Sequence, residues 1–370
     1  MEILILYGAN DQYGASRVLL EEIVALKSLG HNITLMVPFD GPLEELLTSF
    51  DSPARIVIDP RLRVLRRSKI TDLFHQSKVL RGMARNADVI YLWTLAMVPH
   101  LFLLFLFKEK LLILSIHEFF PKMKSWKILR IFNIFKRLQF QTFSETVSGW
   151  LLSLGISEHK INRSSIIFNC DKSKVNVYSR KRFMVTKLSK PLRVGIIGRL
   201  NGKKGQHELV NYIRENQWTR NLLSFHFFGS SFRDELMTKN FLSQIEREPH
   251  IKYHGEFLNF DTIASSVDII LHLPLIPESL GLVPFNGLEN GLRTIGSNNG
   301  GGKQVMNLTD GIVVNSIDEF FALIRIEDQS QILHYLYADW RPNWDKLESL
   351  NLKCRKLSVQ RLLQKSLKSF

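Results

Sequence analysis

Two short apolar runs, ILILYG from Ile3 and RVGIIG from Arg193, each stop at a glycine and pass into a polar loop. Runs of that length and composition read as buried strands, and the glycine lets the chain turn out of a sheet. From the first of them the chain reads strand, loop, helix, strand. ILILYG and ANDQYG lead to a helix from Ala15 that carries Val18, Leu19, Ile23, Val24 and Leu26 on one apolar face, and NITLMV follows. Alternation of this kind builds layered α/β domains around parallel sheets. The loop between Gly8 and Gly14 lacks the GxGxxG spacing of a dinucleotide site, which disfavours NAD.

Beyond the second run, Arg199 stands at the strand tip and Lys204 lies five residues on. Two fixed cations beside a helix N-terminus neutralise a departing diphosphate without a metal. Residues 276–305, IPESLGLVPFNGLENGLRTIGSNNGGGKQV, read as the matching cradle. Glu278 precedes a short loop, a helix is expected to begin near Gly281 with Pro284 tolerated in its first turn, and a short strand then runs into Gly300-Gly301-Gly302. Such a turn aims N–H groups around Ser279, Leu280 and Gly281, with the positive end of a helix dipole, at an anion. Taken singly, each segment is equally a plain strand-to-helix connection flanked by solvated charges.

Together the two segments resemble the donor-binding half of the retaining glycosyltransferases of family 4, which have the GT-B fold. Gly198-Arg199-Leu200 and Lys204-Gly205 stand where that family has Gly-Arg-Leu and Lys-Gly. FHFFG closes at Gly229 like the family's next strand, and Tyr253-His254-Gly255-Glu256 resembles its turn near the base. The family then has two glutamates separated by seven residues and a Gly-Gly loop. Here Glu278 is present, Asn286 replaces the second glutamate, and Gln304 stands where a glutamate often follows the glycines. An amide still hydrogen-bonds a hydroxyl, without the charge that makes a carboxylate acceptor roughly twice as strong. Glu289, one turn beyond Asn286, could share its face. The first half resembles the family more loosely. The loop between Gly8 and Gly14 resembles its glycine loop, and His117-Glu118 ends LLILSIHE like its strand-end histidine. Ser144-Glu145 and Phe168-Asn169-Cys170-Asp171 match two landmarks, with Cys170 for the usual glycine. On its own, His117 is equally a packed strand-end histidine.

The resemblance implies an α/β GT-B chain with two Rossmann-like domains facing a central cleft. Residues 1–180 would bind the acceptor, residues 181–340 the nucleotide sugar, and the C-terminal helices 341–370 would cross back toward the first domain. It implies transfer with retention and no covalent enzyme intermediate, with His117 and Glu278 acting at the sugar. Gly14, Arg199, Lys204, Ser279, Leu280 and Gly281 would hold the diphosphate, and Asn286, His254 and Gly255 the ribose and base. The donor would be a UDP- or GDP-type hexose. The acceptor would be a saccharide or lipid-linked saccharide in O-antigen, lipopolysaccharide or capsule synthesis. Asn286 raises one alternative, a degenerate non-catalytic chain that partners an active transferase at a membrane.

At 370 residues, 45% of them apolar, the chain exceeds what one core serves. The basic, polar run of residues 171–190 between two strand-rich halves is the expected domain boundary. Cys170 and Cys354 are too few and too far apart for a disulfide framework or a zinc site. With no Asp-x-Asp pair either, the expectation is a reducing cytoplasm, no cofactor and no metal. Residues 89–107, VIYLWTLAMVPHLFLLFLF, carry no charge, but Pro99-His100 divides them into a buried strand and a buried helix rather than a membrane span.

Charge is uneven. Residues 51–200 hold 28 Lys and Arg against 9 Asp and Glu, so the surplus behind the net charge of +14 belongs to the first domain. Residues 119–143 carry Lys122, Lys124, Lys127, Arg130, Lys136 and Arg137 and no acid. Trp126, Leu129, Phe132 and Phe135 interleave with them, and two readings stand. Lys122, Lys124, Trp126, Lys127 and Arg130 form a peripheral patch on the anionic inner face of the cell membrane, or the aromatics fill a core beneath a solvated basic face. Arg61, Arg63, Arg66, Arg67 and Lys69 could extend the patch. Nothing resembles an RNA- or DNA-binding module, so nucleic acid is not expected as a partner.

Overall fold

The computed structural model describes residues 1–11, 14–62, 78–104, 109–120, 124–164, 171–186, 191–229, 235–257, 260–325, 334, 336–338, 340–348 and 359–364. The chain divides into two units, Met1–Phe168 with Leu350–Phe370, and Asn169–Ser349.

In the first unit, seven strands form one parallel sheet in the order β3-β2-β1-β4-β5-β6-β7. They are β1 (Glu2–Tyr7), β2 (Asn32–Val37), β3 (Arg55–Ile58), β4 (Val89–Trp93), β5 (Leu111–Ile116), β6 (Leu138–Thr142) and β7 (Ile161–Arg163). The central strands are apolar along their length because helices cover both faces of a parallel sheet, and β4 and β5 are buried at every residue. The helix expected from Ala15 spans Gly14–Ser28 and buries Val18, Leu19, Ile23 and Leu26. The charge-free stretch resolves into β4, a 3-10 turn (Leu95–Met97) and a short helix (Val98–Leu104). No helix among the described residues is long and apolar enough to cross a membrane.

Residues 124–134 form a 3-10 helix (Lys124–Ile134) whose aromatic edge turns inward. Leu129 and Phe132 are fully buried, and Trp126 and Phe135 pack against the same core. Trp126 also stacks on Phe120 at 5.9 Å. The aromatics therefore belong to the core, and Trp126 is not part of an outward patch. Lys122 and the Lys124 side chain lie outside the described residues, as do Arg63, Arg66, Arg67, Lys69, Cys170 and Cys354.

In the second unit, six parallel strands take the order β10-β9-β8-β11-β12-β13. They are β8 (Leu192–Ile197), β9 (Leu223–Phe228), β10 (Ile251–Tyr253), β11 (Ile269–His272), β12 (Thr294–Ser297) and β13 (Ile312–Val314). At the amino edge, Asp268 is fully buried and accepts from the Arg193 backbone N–H (2.8 Å), Nε (3.1 Å) and Nη2 (2.7 Å). The bidentate pair pins β8 to β11.

The polar run of residues 171–190 is helical over Lys172–Thr186. Asp171 caps it, its carboxylate accepting from the backbone N–H of Ser173 at 2.9 Å. Val175 is buried while Val177 and Tyr178 are exposed, so the helix carries no apolar stripe for the sequence to display. Gly291 meets it closely: a Cβ there would lie 2.6 Å from that of Tyr178.

Candidate functional site

In an open α/β sheet a crevice forms at the carboxyl edge where the strand order reverses. The second sheet reverses between β8 and β11, and the loops leaving those two strands carry the charged residues of interest. β8 ends at Gly198 (φ +148°), whose N–H donates to Phe228 O at 3.0 Å. The loop that follows is fixed by Gln206 Nε2, which donates to the carbonyls of Gly198 and Arg199, each at 3.1 Å. Leu275 N–H donates to Lys203 O at 2.9 Å and stitches this loop to the one leaving β11. Gly205, in the left-handed region at φ +76°, starts the helix Gln206–Glu215, and a Cβ there would fall 2.5 Å from Leu273 O.

These loops bring Lys204 Nζ onto Glu278 Oε1 across 74 residues of chain. The other carboxylate oxygen lies 3.2 Å from His272 Nε2. The Glu278 side chain is 16% exposed. Burial by itself raises its pKa, but the His272 imidazole and the Lys204 ammonium, with their hydrogen bonds, outweigh this and hold it well below the usual carboxylate range. A carboxylate so compensated is a weak base and a poor nucleophile. His272 escaped the sequence reading. The available signal was its position, a polar residue ending the apolar strand IILH six residues before Glu278.

The expected helix starts are present. Gly281 (φ +72°) caps the helix Leu282–Glu289, with Pro284 in its first turn. The glycine triplet is the first turn of the helix Gly300–Leu308, not a loop. It presses on the strand-to-helix connection. A Cβ at Gly301 would lie 2.1 Å from Ser279 O, one at Gly300 2.5 Å from Glu278 O, and one at Gly281 2.6 Å from the Gly302 Cα. Gly301 N–H donates to Glu278 O at 2.7 Å. Two helix N-termini thus converge beside Glu278, Ser279 and Leu280. Asn286 is half-buried on the first of these helices, its carbonyl accepting from Asn290 Nδ2 at 2.9 Å, while Glu289 and Gln304 are exposed.

His254 and Gly255 follow β10 at the same edge. The His254 ring stacks on Phe228 at 4.5 Å, nearly parallel, and its Nε2 lies 3.0 Å from His226 Nδ1. Gly255 O accepts from Gly229 N–H at 2.6 Å. Burial, then the charges of His254, Lys252 and Arg193, push His226 down to about 4.

Gly14 and His117 belong to the first unit. Gly14 is exposed at the start of its helix, and Trp93 Nε1 donates to the neighbouring Ala15 O at 3.0 Å. His117 leaves β5 between Trp93 and Phe143, ring centroids 4.5 and 4.9 Å away, with Nε2 2.9 Å from Ser115 Oγ. Burial pushes it down to about 3, so it is neutral at physiological pH. Glu118 accepts from Leu95 N–H at 3.0 Å; burial raises its pKa against the pull of these hydrogen bonds.

His117 and His226 refuse protons in the folded chain that the unfolded chain binds below 6.5. Burial lowers His100, His250 and His254 in the same direction. Stability therefore falls as pH drops from 6.5 toward 4. Scanning calorimetry is expected to show a Tm several degrees lower at pH 5 than at pH 7. A flat Tm would mean that these imidazoles protonate in place.

No family model matches the chain, and no curated protein matches it. Its architecture recurs among solved structures. HepE of Anabaena, in complex with UDP and glucose, superposes with a TM-score of 0.75 at 17% identity, covering 98% of this chain and 99% of HepE. A glycosyltransferase of Rickettsia africae gives 0.71 at 17% identity, with 99% and 98% covered. The lipopolysaccharide outer core galactosyltransferase WaaB gives 0.64 at 11% identity, with 98% and 99% covered. The two parallel sheets and these full-length likenesses make the fold GT-B.

Proposed function

We propose that the chain is a glycosyltransferase that moves a hexose from a nucleotide-diphosphate donor to a saccharide or lipid-linked saccharide, with retention. The observation that carries this reading is the Lys204–Glu278–His272 cluster at the switch point of the second sheet, beside two converging helix N-termini. The structural neighbours described above support it by kind: HepE is bound to UDP and glucose, and WaaB is a galactosyltransferase of lipopolysaccharide. The donor is a UDP or GDP sugar, and synthesis of a bacterial surface polysaccharide such as O-antigen or capsule is the proposed setting.

In this reading Arg199, Lys204 and the N–H groups around Ser279, Leu280 and Gly281 receive the diphosphate. Charge accumulates on the phosphate oxygen as the anomeric carbon–oxygen bond breaks, and preorganised cations and dipoles there are the largest catalytic contribution available without a metal. Glu278 is too well compensated to attack or to take a proton, so it holds sugar hydroxyls. The acceptor hydroxyl forms the new bond on the face that the diphosphate leaves, and the departing phosphate oxygen is the base for its proton. Asn286, His254 and Gly255 are assigned to ribose and base.

Calorimetric titration with UDP, GDP, ADP and CDP, with and without EDTA, tests the donor site. One diphosphate is expected to bind, insensitive to EDTA, and Lys204→Ala is expected to weaken it about tenfold or more, the loss of one charge-assisted contact. No binding of any of the four at millimolar concentration would overturn the reading.

A further inference from the structure

The 3-10 helix Lys124–Ile134 is eleven residues long, where runs beyond three or four are uncommon. At three residues per turn, side chains three apart stack along one edge, and the helix therefore has three edges of different chemistry. Trp126, Leu129, Phe132 and, just past the end, Phe135 point into the core. Ile128, Ile131 and Ile134 form a second edge and are 57%, 49% and 70% exposed. Lys127 and Arg130 occupy the third, both exposed, followed by Asn133. A depression of ≈ 530 Å³ lined by Lys127, Ile128, Arg130, Ile131, Asn133 and Gly155 runs along these two outer edges.

The helix is braced from behind. Asn133 Nδ2 donates to Gly155 O at 2.7 Å, and its Oδ1 accepts from Ser157 N–H at 3.1 Å. Buried Lys160 donates to the carbonyls of Phe135 and Leu138 beyond the helix end. The outer face is thus a rigid row of aliphatic side chains beside a row of cations, with no acid between residues 119 and 143. Glu145 and Glu158, the next acids along the chain, are engaged by Arg163 at 3.2 and 3.4 Å.

We propose that this face docks on an anionic lipid bilayer, with Ile128, Ile131 and Ile134 seated among the acyl chains at the headgroup boundary and Lys127 and Arg130 on lipid phosphates. Charge complementarity selects the occupant: aliphatic side chains flanked by unopposed cations match a surface that is apolar just beneath a layer of negative charge. A polynucleotide would meet the cations and leave three isoleucines against a charged backbone. The inference is independent of the sugar-transfer reading.

The test is co-sedimentation of the full chain with vesicles of phosphatidylcholine alone or with one-third phosphatidylglycerol. Binding is expected to be about tenfold or more tighter on the anionic vesicles and weaker at high salt. The triple change Ile128→Ser, Ile131→Ser, Ile134→Ser is expected to lower it about tenfold or more. Lys127→Ala with Arg130→Ala should cost a similar factor, roughly fivefold for each charge. All five side chains are exposed, so unchanged circular dichroism should accompany both variants. Failure of the wild type to bind anionic vesicles, or serine-variant binding equal to wild type, would overturn the proposal. So would a serine variant that changes only the oligomeric state, which would assign the face to a second copy.

Discussion

On the sugar-transfer reading proposed above, glutamine in place of Glu278 is expected to slow transfer by about 10- to 100-fold while nucleotide-diphosphate affinity stays level or rises. The two effects have opposite signs because the carboxylate does two things. In the proposed role it offers the sugar a charged acceptor, and a hydrogen bond to a charged group is worth roughly 1.5–3 kcal/mol. It also occupies the Lys204 ammonium, which sits on its Oε1 in the ligand-free chain. An amide releases that ammonium to a phosphate. Steady-state kinetics with the sugar nucleotide chosen by calorimetry, set beside titration of the bare diphosphate, would separate the two. Turnover within a few-fold of wild type, or affinity falling in step with turnover, would reduce Glu278 to a structural prop. The same carboxylate contributes to stability. Its folded pKa lies below the ordinary 4.5, so its contribution is complete above that pH and is lost as the pH falls below it. The stability gap between wild type and glutamine variant should therefore narrow in acid.

At the opposite edge of the same sheet, Asp268→Ala is expected to destabilise the second unit by about 3–5 kcal/mol. The alanine leaves the Arg193 guanidinium and its backbone N–H without the carboxylate that now accepts from them three times. Asp268 has no exposure to soften the loss, while Arg193 is 30% exposed and recovers part of its hydration. With roughly 2–4 °C per kcal/mol for a unit of this size, Tm should fall by about 6–20 °C. Diphosphate affinity, measured well below the new Tm, should be unchanged, because the pair lies at the amino ends of β8 and β11 and the site at their carboxyl ends. A loss under about 1 kcal/mol would place the pair among weak surface ion pairs.

Features written in short windows were legible in the sequence. The apolar strands ending in glycine were visible because a buried parallel strand has few polar positions, and the helix start at Gly281 because glycine and Pro284 mark it from both sides. Features that depend on topology were not. Lys204 and Glu278 meet only because the strand order reverses between β8 and β11, and His272 joins them for the same reason. The helix Lys172–Thr186 was hidden by its lack of an apolar stripe, although Asp171 is a cap that could have announced it. The strict three-residue spacing of Trp126, Leu129, Phe132 and Phe135 matches the 3-10 helix, but i, i+3 neighbours also share a face of an α-helix, so the spacing alone does not single it out.

The backbone contacts around the glycine triplet restrict how this site can drift. Gly281, Gly300 and Gly301 each lack room for a methyl group, whereas a Cβ at Gly302 meets nothing within 4 Å. Only the last of the four is therefore free to mutate, and a residue inserted between β11 and the triplet would pull the carbonyls of Glu278 and Ser279 out of register with it. Insertions and most substitutions here would register as loss of turnover although no reacting group had been touched. On the proposed reading, a lineage changing its donor sugar would have to do so through the side chains rimming the frame, with the frame itself inherited intact.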